Sequence, residues 1–430
     1  MSYIYSDASL SIQFLRTKAA SLLLYQGVFA GAVGQAFLSL LESLSQTRED
    51  ELGYLLAYGN WFKTLAASGE SWQDYLIWQI LCDDNPFSRA AQQVPVSDLP
   101  YSLVAAVKQD LQTLQLLYEQ SNQQLSLSIR KASKSGMKPI VWDMEPQAPS
   151  FLPQQSDWAN AWVDLANHYR DNGAGLFAQY RALRWQSGEL VGIAHPDPVE
   201  LGELVGYESQ QEALVKNTEF LLAGYSALHV LLYGSRGSGK SSLVKALLQK
   251  YSDRGLRLIE VAKSDLRDLS AIVERVREVP QKFIIFVDDL SFEEDDEAFK
   301  ALKVVLEGSV TARSQNIVVY ATSNRRHLIR EYFSDRPRPR DNDEVHAWDT
   351  LQEKLSFSDR FGLTLTFEPA NQDTYLKIVR HLADLVKIDL PQEELDYRAL
   401  QWATRHNGRC GRSARQFIDF LTAEISAEYF

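Results

Sequence analysis

The fold class predicted from the sequence is α/β: a parallel sheet with helices on both faces, preceded by an all-helical domain and followed by a smaller helical one. Three observations predict it. The apolar runs Ala227–Tyr233, Phe283–Val287 and Asn316–Thr322 are continuous rather than alternating, which is the pattern of strands buried on both faces. Between them, apolar residues recur at helical spacing, so strand and helix alternate as a parallel sheet requires. Before residue 131 only helical periodicity is present.

In chain order, residues 8–130 read as helices. Val104, Val107, Leu111, Leu114 and Tyr118 alternate by three and four, a packing stripe on a long helix. Asn85-Pro86 and the segment Pro95 to Pro100 break the earlier helices from it. Seven of the nine Trp lie before residue 200, so this half is built to pack around a core. Leu22 to Leu41 lacks charge and matches the length of a spanning helix. Gln26, Gln35, Gly27, Gly31 and Gly34 dilute it, and Leu15, Leu22, Phe29, Val33, Phe37 and Leu40 form the stripe of a helix buried on one side. It is read as a core helix, with no membrane contact.

Pro139, Pro146, Pro149 and Pro153 mark a linker, followed by a helix from Trp158. The expected organisation is a helical N-terminal domain over 1–130, linker and connecting helices over 131–199, a nucleotide-binding α/β domain over 200–368 and a helical lid over 369–430. Strands are expected at 227–233, 256–261, 283–287, 316–322 and 363–367, with helices at 265–279 and 297–307.

The chemistry concentrates at Gly234-Ser235-Arg236-Gly237-Ser238-Gly239-Lys240-Ser241, which joins the run Ala227–Tyr233 to the amphipathic run Ser242–Leu248. Strand, glycine loop, Lys-Ser and helix form the context of a phosphate-binding P-loop. The glycines let backbone N–H groups wrap around phosphates, and Lys240 adds a point charge. The Ser241 hydroxyl can ligate Mg²⁺, and the helix N-terminus favours an anion. Phe283–Val287 then delivers Asp288 and Asp289 to the carboxyl end of a buried strand. There Asp288 can hold Mg²⁺ and Asp289 can orient or activate a water. A solvated acidic loop accounts for Glu293 to Glu297 but not for acids presented by an apolar strand.

From this point the chain resembles the AAA+ P-loop ATPases. Ser323-Asn324-Arg325-Arg326 follows the run 316–322, and Asn324 matches the polar residue that senses the γ-phosphate in that superfamily. Ser358-Asp359-Arg360-Phe361 is similar to the segment carrying the arginine finger, which makes Arg360 the candidate. Gly411-Arg412-Ser413-Ala414-Arg415 resembles the sensor-two motif, with Arg415 as the contact and Arg412 as the alternative. Leu204-Val205-Gly206-Tyr207 matches the segment lining the adenine pocket, which adds Val205, Gly206 and Tyr207 to the loop residues Gly234–Ser242. The likeness is closer still to a bacterial AAA+ family catalogued as a domain of unknown function. It is carried by Leu204–Glu208, Leu232–Leu248, Phe286–Glu294 and Tyr320–Leu328, and extends from near residue 195 to the C-terminus.

The resemblance implies ATP and Mg²⁺ as ligands, a homo-oligomeric ring, and ATP hydrolysis coupled to remodelling or loading of a macromolecular partner. The N-terminal helical domain would recognise a protein client. A slow nucleotide-dependent adaptor and a DNA-linked loader are the other readings it allows. One departure bears on water activation: the residue after the metal aspartate is usually Glu, and here it is the shorter Asp289.

Composition limits the partners. The chain has 430 residues, 45% hydrophobic and 23% charged, and suits two or three globular domains. A formal net charge of −12 argues against a general nucleic-acid coat protein. Arg325, Arg326, Arg330, Arg336, Arg338 and Arg340 cluster locally, interspersed with Asp335, Pro337 and Pro339. That segment reads as a solvated insertion, with a nucleic-acid contact as the alternative. Cys82 and Cys410 offer neither a disulfide framework nor zinc spacing. The opening residues lack a secretory signal, so a cytoplasmic location is expected.

Overall fold

The structure, a computed structural model, describes residues 3–45, 51–120, 122–132, 138–147, 149–292, 297–307, 314–324, 356–406 and 408–427. It divides into two compact units, Met1–Gln179 and Tyr180–Phe430.

The first unit is helical: α1 (Tyr3–Ala20), α2 (Ala32–Ser45), α3 (Glu51–Ser68), α4 (Trp72–Cys82), α5 (Pro86–Gln93), α6 (Tyr101–Glu119), α7 (Asn122–Ala132), α8 (Trp162–Asn172) and α9 (Leu176–Gln179). Polar side chains cap the starts of α4 and α5, Ser71 for the former and Asn85 for the latter. The Asn85 side chain accepts the N–H groups of Phe87 and Ser88, and Ser88 Oγ accepts the Asn85 N–H, a reciprocal cap with Pro86 in the first turn. Phe37, Trp61 and Trp72 meet in the core, with the Phe37 and Trp72 rings stacked at 4.2 Å.

The single helix expected through Leu22–Leu41 is corrected. All six stripe residues are buried, but Leu15 lies on α1, Leu22 in the segment after it, Phe29 in a 3₁₀ turn at Tyr25–Phe29, and Val33, Phe37 and Leu40 on α2. The break has a local cause. Asp110, fully buried on α6, accepts the backbone N–H groups of Leu23, Leu24 and Tyr25 and so terminates α1. A Cβ at Gly34 would lie 2.5 Å from Phe29 Cα, an approach that only glycine allows. Among the described residues, no helix is long and apolar enough to cross a membrane.

The expected boundary at residue 130 falls inside this core. Leu152, Trp158, Leu165 and Tyr169 share it with Tyr25 and Phe37, and the Tyr169 and Tyr25 hydroxyls are 3.1 Å apart. The proline-containing stretch read as linker is a strap bonded to the helices. Tyr58 donates to the Ile140 carbonyl, Trp142 Nε1 to the Glu70 carbonyl, and the Gln147 N–H to the Asp74 carboxylate.

The second unit holds a seven-stranded sheet of β1 (Ala182–Gln186), β2 (Glu189–Ile193), β3 (Val230–Gly234), β4 (Leu256–Glu260), β5 (Lys282–Val287), β6 (Ile317–Ser323) and β7 (Leu363–Phe367). The order is β2-β1-β4-β5-β6-β3-β7, parallel throughout except for β2 on β1. Helices α10 (Glu208–Leu222) and α11 (Lys240–Tyr251) cover one face, where Leu214, Val244 and Leu247 pack with Val230, Ile284 and Val318. The alternate strand residues Leu231, Ile285 and Val319 are equally buried, which explains the continuous apolar runs. The crossovers also carry α12 (Leu269–Val276), shorter than expected because 263–268 is a 3₁₀ turn, and α13 (Glu297–Glu307). Helices α14 (Gln372–Leu385), α15 (Gln392–Arg405) and α16 (Gly411–Ala427) form a small bundle around Tyr375, Val379, Ala399 and Phe417.

The hairpin β1–β2 corrects the expectation of connecting helices up to 199. Ser187 and Gly188 both have positive φ, 53° and 83°, as a two-residue hairpin turn requires. β1 pairs with β4, and Trp185 Nε1 donates to Asp268 at 2.9 Å.

The first unit contains a carboxyl whose ionisation opposes folding. Burial pushes Asp83 up to about 6, helped by Asp84 and Asp110 and resisted by the hydrogen bond from Asn85. The folded state therefore binds this proton more tightly than the unfolded chain. The resulting stability is full below about pH 4 and is lost as pH rises through about 6. Asp83→Asn is expected to remove that slope and to stabilise the protein at pH 8 by about 1–3 kcal/mol. Urea melts followed by tryptophan fluorescence at pH 4.5 and pH 8 measure it; parallel pH dependences in the two proteins would exclude the effect.

Candidate functional site

The parallel register assembles the site. Val287 at the end of β5 lies opposite Ala321 of β6, so Asp288 follows beside Thr322. Tyr233 at the end of β3 lies opposite Ser323, which brings the glycine loop beside Asn324. Within the loop, Gly234, Gly237 and Gly239 have φ of 143°, 74° and 88°. A Cβ at Gly234 would sit 2.0 Å from the Phe367 carbonyl oxygen, and Gly239 caps the start of α11.

Short hydrogen bonds connect these strand ends. Ser241 Oγ donates to Asp288 Oδ1 at 2.6 Å, and Thr322 Oγ1 donates to the same oxygen at 2.5 Å. Thr322 Oγ1 also accepts the Asp289 N–H at 3.0 Å. Asn324 Nδ2 donates to Asp289 Oδ1 at 2.6 Å. Lys240 Nζ donates to the Ser235 carbonyl at 2.7 Å, the Gly234 carbonyl at 3.1 Å and Asn324 Oδ1 at 3.4 Å. Burial lowers the Lys240 ammonium from its usual value, against the pull of Asp288 and Asp289.

A cavity of about 940 Å³ opens above this network. Its walls include Arg236 to Ser242, Asp288, Asp289, Thr322 and Asn324, together with Asp197, Glu203, Val205 and Tyr207 and, from the terminal bundle, Arg412 and Arg415. The bundle closes directly on the loop: the Arg412 N–H donates to the Gly237 carbonyl at 3.1 Å. Arg415 Nη2 pairs with Glu203 Oε2 at 2.6 Å, and His381 Nε2 lies 2.6 Å from the Gly202 carbonyl. Tyr207 donates to the Glu368 carbonyl at 2.7 Å, while Gly206, with φ of 94°, turns the chain against Thr374.

The structure thus gathers Lys240, Ser241, Asp288, Asp289, Asn324, Arg415 and the alternative Arg412 around one cavity, with Gly234 and Ser235 bonded to Lys240 beneath it. Arg360 is elsewhere. It closes the 3₁₀ turn Ser356–Arg360 ahead of β7 and is not among the cavity walls. The arginine cluster Arg325–Arg340 lies outside the described residues. Sequence reasoning missed Thr322 and Glu203. Thr322 stands inside the Ala-Thr-Ser-Asn tip, but its importance depends on the β5–β6 register. Glu203 is identifiable only through a partner far along the chain.

The Glu203–Arg415 pair is half-exposed, with side chains 27% and 43% accessible. It is therefore worth at most about 1 kcal/mol. Glu203→Gln is expected to leave the melting temperature nearly unchanged while speeding amide exchange in residues 409–417. Hydrogen–deuterium exchange of that peptide is the measurement, and unchanged protection would show that the bundle is held without the Glu203–Arg415 pair.

A family profile described as protein of unknown function (DUF815) matches residues 178–425. No curated protein matches the chain. Among solved structures it is similar to Thermotoga maritima RuvB, both in the structure titled Holliday junction branch migration motor and in a mutant. Each is 15% identical, covering 52% of this chain and 72% of its own, with TM-scores of 0.31 and 0.32. The chain belongs to the family described as protein of unknown function (DUF815).

Proposed function

We propose that this protein is an ATPase that binds ATP with Mg²⁺ in the cavity and couples hydrolysis to remodelling or loading of a macromolecular partner. The observation that carries the reading is the hydrogen-bonded convergence of Lys240, Ser241, Asp288, Asp289 and Asn324 at the ends of three adjacent strands. The loop amides and Lys240 hold the phosphates. A hydroxyl and a carboxylate already in contact, Ser241 and Asp288, form an all-oxygen pair suited to Mg²⁺. The ion, when bound, would neutralise charge on the phosphate oxygens. Asp289 and Asn324 orient a water toward the terminal phosphate. Arg415 or Arg412 links the bundle to nucleotide state, because both line the cavity.

Arg360 acts from a neighbouring subunit in this reading, and its position off the cavity of its own chain agrees with that role. The assembly is then a homo-oligomeric ring, cytoplasmic, with a protein client recognised by the helical unit. Nucleic acid is the less favoured partner given the net charge of −12. The slow adaptor reading is retained only because Asp289 is shorter than Glu; turnover measured at defined protein concentration separates the two.

Lys240→Ala is expected to lose measurable ATP binding in isothermal titration while melting like the wild type. Asp289→Asn is expected to keep ATP binding and to lower kcat by about 10²–10⁴-fold. Wild-type affinity in Lys240→Ala would overturn the assignment.

Arg360→Ala is expected to keep ATP binding and to lose about 10³-fold or more in turnover. Mixing it with Asp289→Asn protein should restore part of the activity, because the intact nucleotide site of one chain can meet the intact Arg360 of the other. Co-assembly without any recovery would exclude a role in trans.

A further inference from the structure

We propose that Thr322 is a positioning residue for this site, a single hydroxyl that sets both acids at once. The inference rests on the ATPase reading above. Thr322 Oγ1 donates to Asp288 Oδ1 at 2.5 Å and accepts the Asp289 N–H at 3.0 Å, so its proton and its lone pair are each committed to one of the two residues. Thr322 itself is only 2% exposed and belongs to the buried strand β6. Asp288 and Asp289 are both exposed at the cavity. The hydroxyl is thus the fixed point from which two solvent-facing carboxylates are aimed.

The geometry gives each bond a separate task. Asp288 Oδ1 has two donors, Ser241 and Thr322. Ser241 is the hydroxyl assigned to the metal, so Thr322 is the donor that keeps Asp288 in place when Ser241 is engaged elsewhere. Asp289 has φ of 51°, a left-handed conformation that disfavours a residue with a Cβ. Three contacts from the tip of β6 hold it there. Thr322 Oγ1 accepts its N–H, Asn324 Nδ2 holds its carboxylate, and the Leu290 N–H donates to the Thr322 carbonyl at 2.7 Å. Of these, the Thr322 hydroxyl alone also touches Asp288. A valine would preserve the shape and the β-branching of the strand while removing both hydroxyl contacts.

Thr322→Val, Thr322→Ala and Thr322→Ser in the full chain test the proposal. In Val and Ala the Mg²⁺ concentration that half-saturates binding of a fluorescent ATP analogue should rise by about tenfold, and kcat should fall by about 10–100-fold. KM at saturating Mg²⁺ should stay within about threefold, and Ser should restore both properties to within about threefold. Without nucleotide, the amides of peptide 283–292 should exchange faster in Val and Ala than in Ser or the wild type. Val and Ala proteins with wild-type Mg²⁺ dependence, kcat and exchange would overturn the role. A Ser variant as impaired as Val would overturn it too, by assigning the effect to the methyl group. If the wild type binds no ATP analogue, the ATPase reading fails by itself. The exchange arm then still decides whether the hydroxyl orders the acidic turn, and equal exchange in Val, Ala and Ser would refute it.

Discussion

The alignment of β5 with β6 is the constraint on which the site depends. Both strands are apolar on both faces, so a one-residue slip would exchange one buried set for another without exposing a polar stripe. Hydrophobic burial therefore does not pin this register by itself. Polar clamps at the two ends do. At the amino end, Asn316 Nδ2 donates to the Val276 and Val279 carbonyls, and the Phe283 N–H donates to the Asn316 carbonyl. At the carboxyl end, Thr322 holds Asp288 and Asp289, while Ser323 Oγ donates to the Leu290 carbonyl at 2.8 Å. The bonds that assemble the acids are also the bonds that fix the strands, so core and site are specified together.

The glycine loop and the terminal bundle are coupled in a similarly direct way. A Cβ on Gly237 would lie 2.8 Å from Cys410 Sγ, and a Cβ on Gly411 would lie 3.0 Å from the Gly237 carbonyl oxygen. Two glycines from distant parts of the chain are needed for one close approach. Any group held by the loop must act on the first turn of α16, because the Arg412 N–H is bonded to the loop itself. The Glu203–Arg415 pair and the approach of His381 Nε2 to the Gly202 carbonyl add to this contact. In the ATPase reading proposed above, a bound nucleotide would shift the balance between docked and released positions of the bundle through its different contacts in each.

The parts of this architecture legible in the sequence are those encoded locally. Continuous apolar runs announced β3, β5 and β6, and the loop from Gly234 to Ser241 announced its own turn and helix. Asp288 and Asp289 were legible because an apolar strand delivered them. Where the sequence misled in the first unit, the cause was a long-range partner. Leu22–Leu41 carries the periodicity of one helix, yet Asp110 on α6 draws off three of its backbone amides. The stretch with Pro139 and Pro146 has the composition of a linker, but Tyr58, Trp142 and Asp74 tie it to the helices. The β1–β2 hairpin had a local sign, Ser187-Gly188 between short apolar runs, that was overshadowed by the helical pattern before it. Thr322 and Glu203 gave no local sign, because their partners are set by strand register and by packing of the bundle.

Asp289 is where these threads meet. It is one of three non-glycine residues with positive φ among those described, and the only one of the three at the cavity. A left-handed backbone here costs on the order of 1 kcal/mol, and such strain persists only where surrounding contacts over-determine it. Thr322 and Asn324 provide those contacts from one strand tip. The same backbone turn aims the carboxylate, and in the ATPase reading proposed above this matters because an aspartate is one methylene shorter than the glutamate that the AAA+ resemblance leads one to expect. With less side chain to extend, the direction of the acid is set by main-chain conformation and by the Asn324 bond rather than by rotamer choice. A glutamate substituted here would regain length but would have to displace the Asn324 amide that now sits 2.6 Å from the carboxylate. Length and direction are therefore alternative solutions to one placement problem, and this chain uses direction.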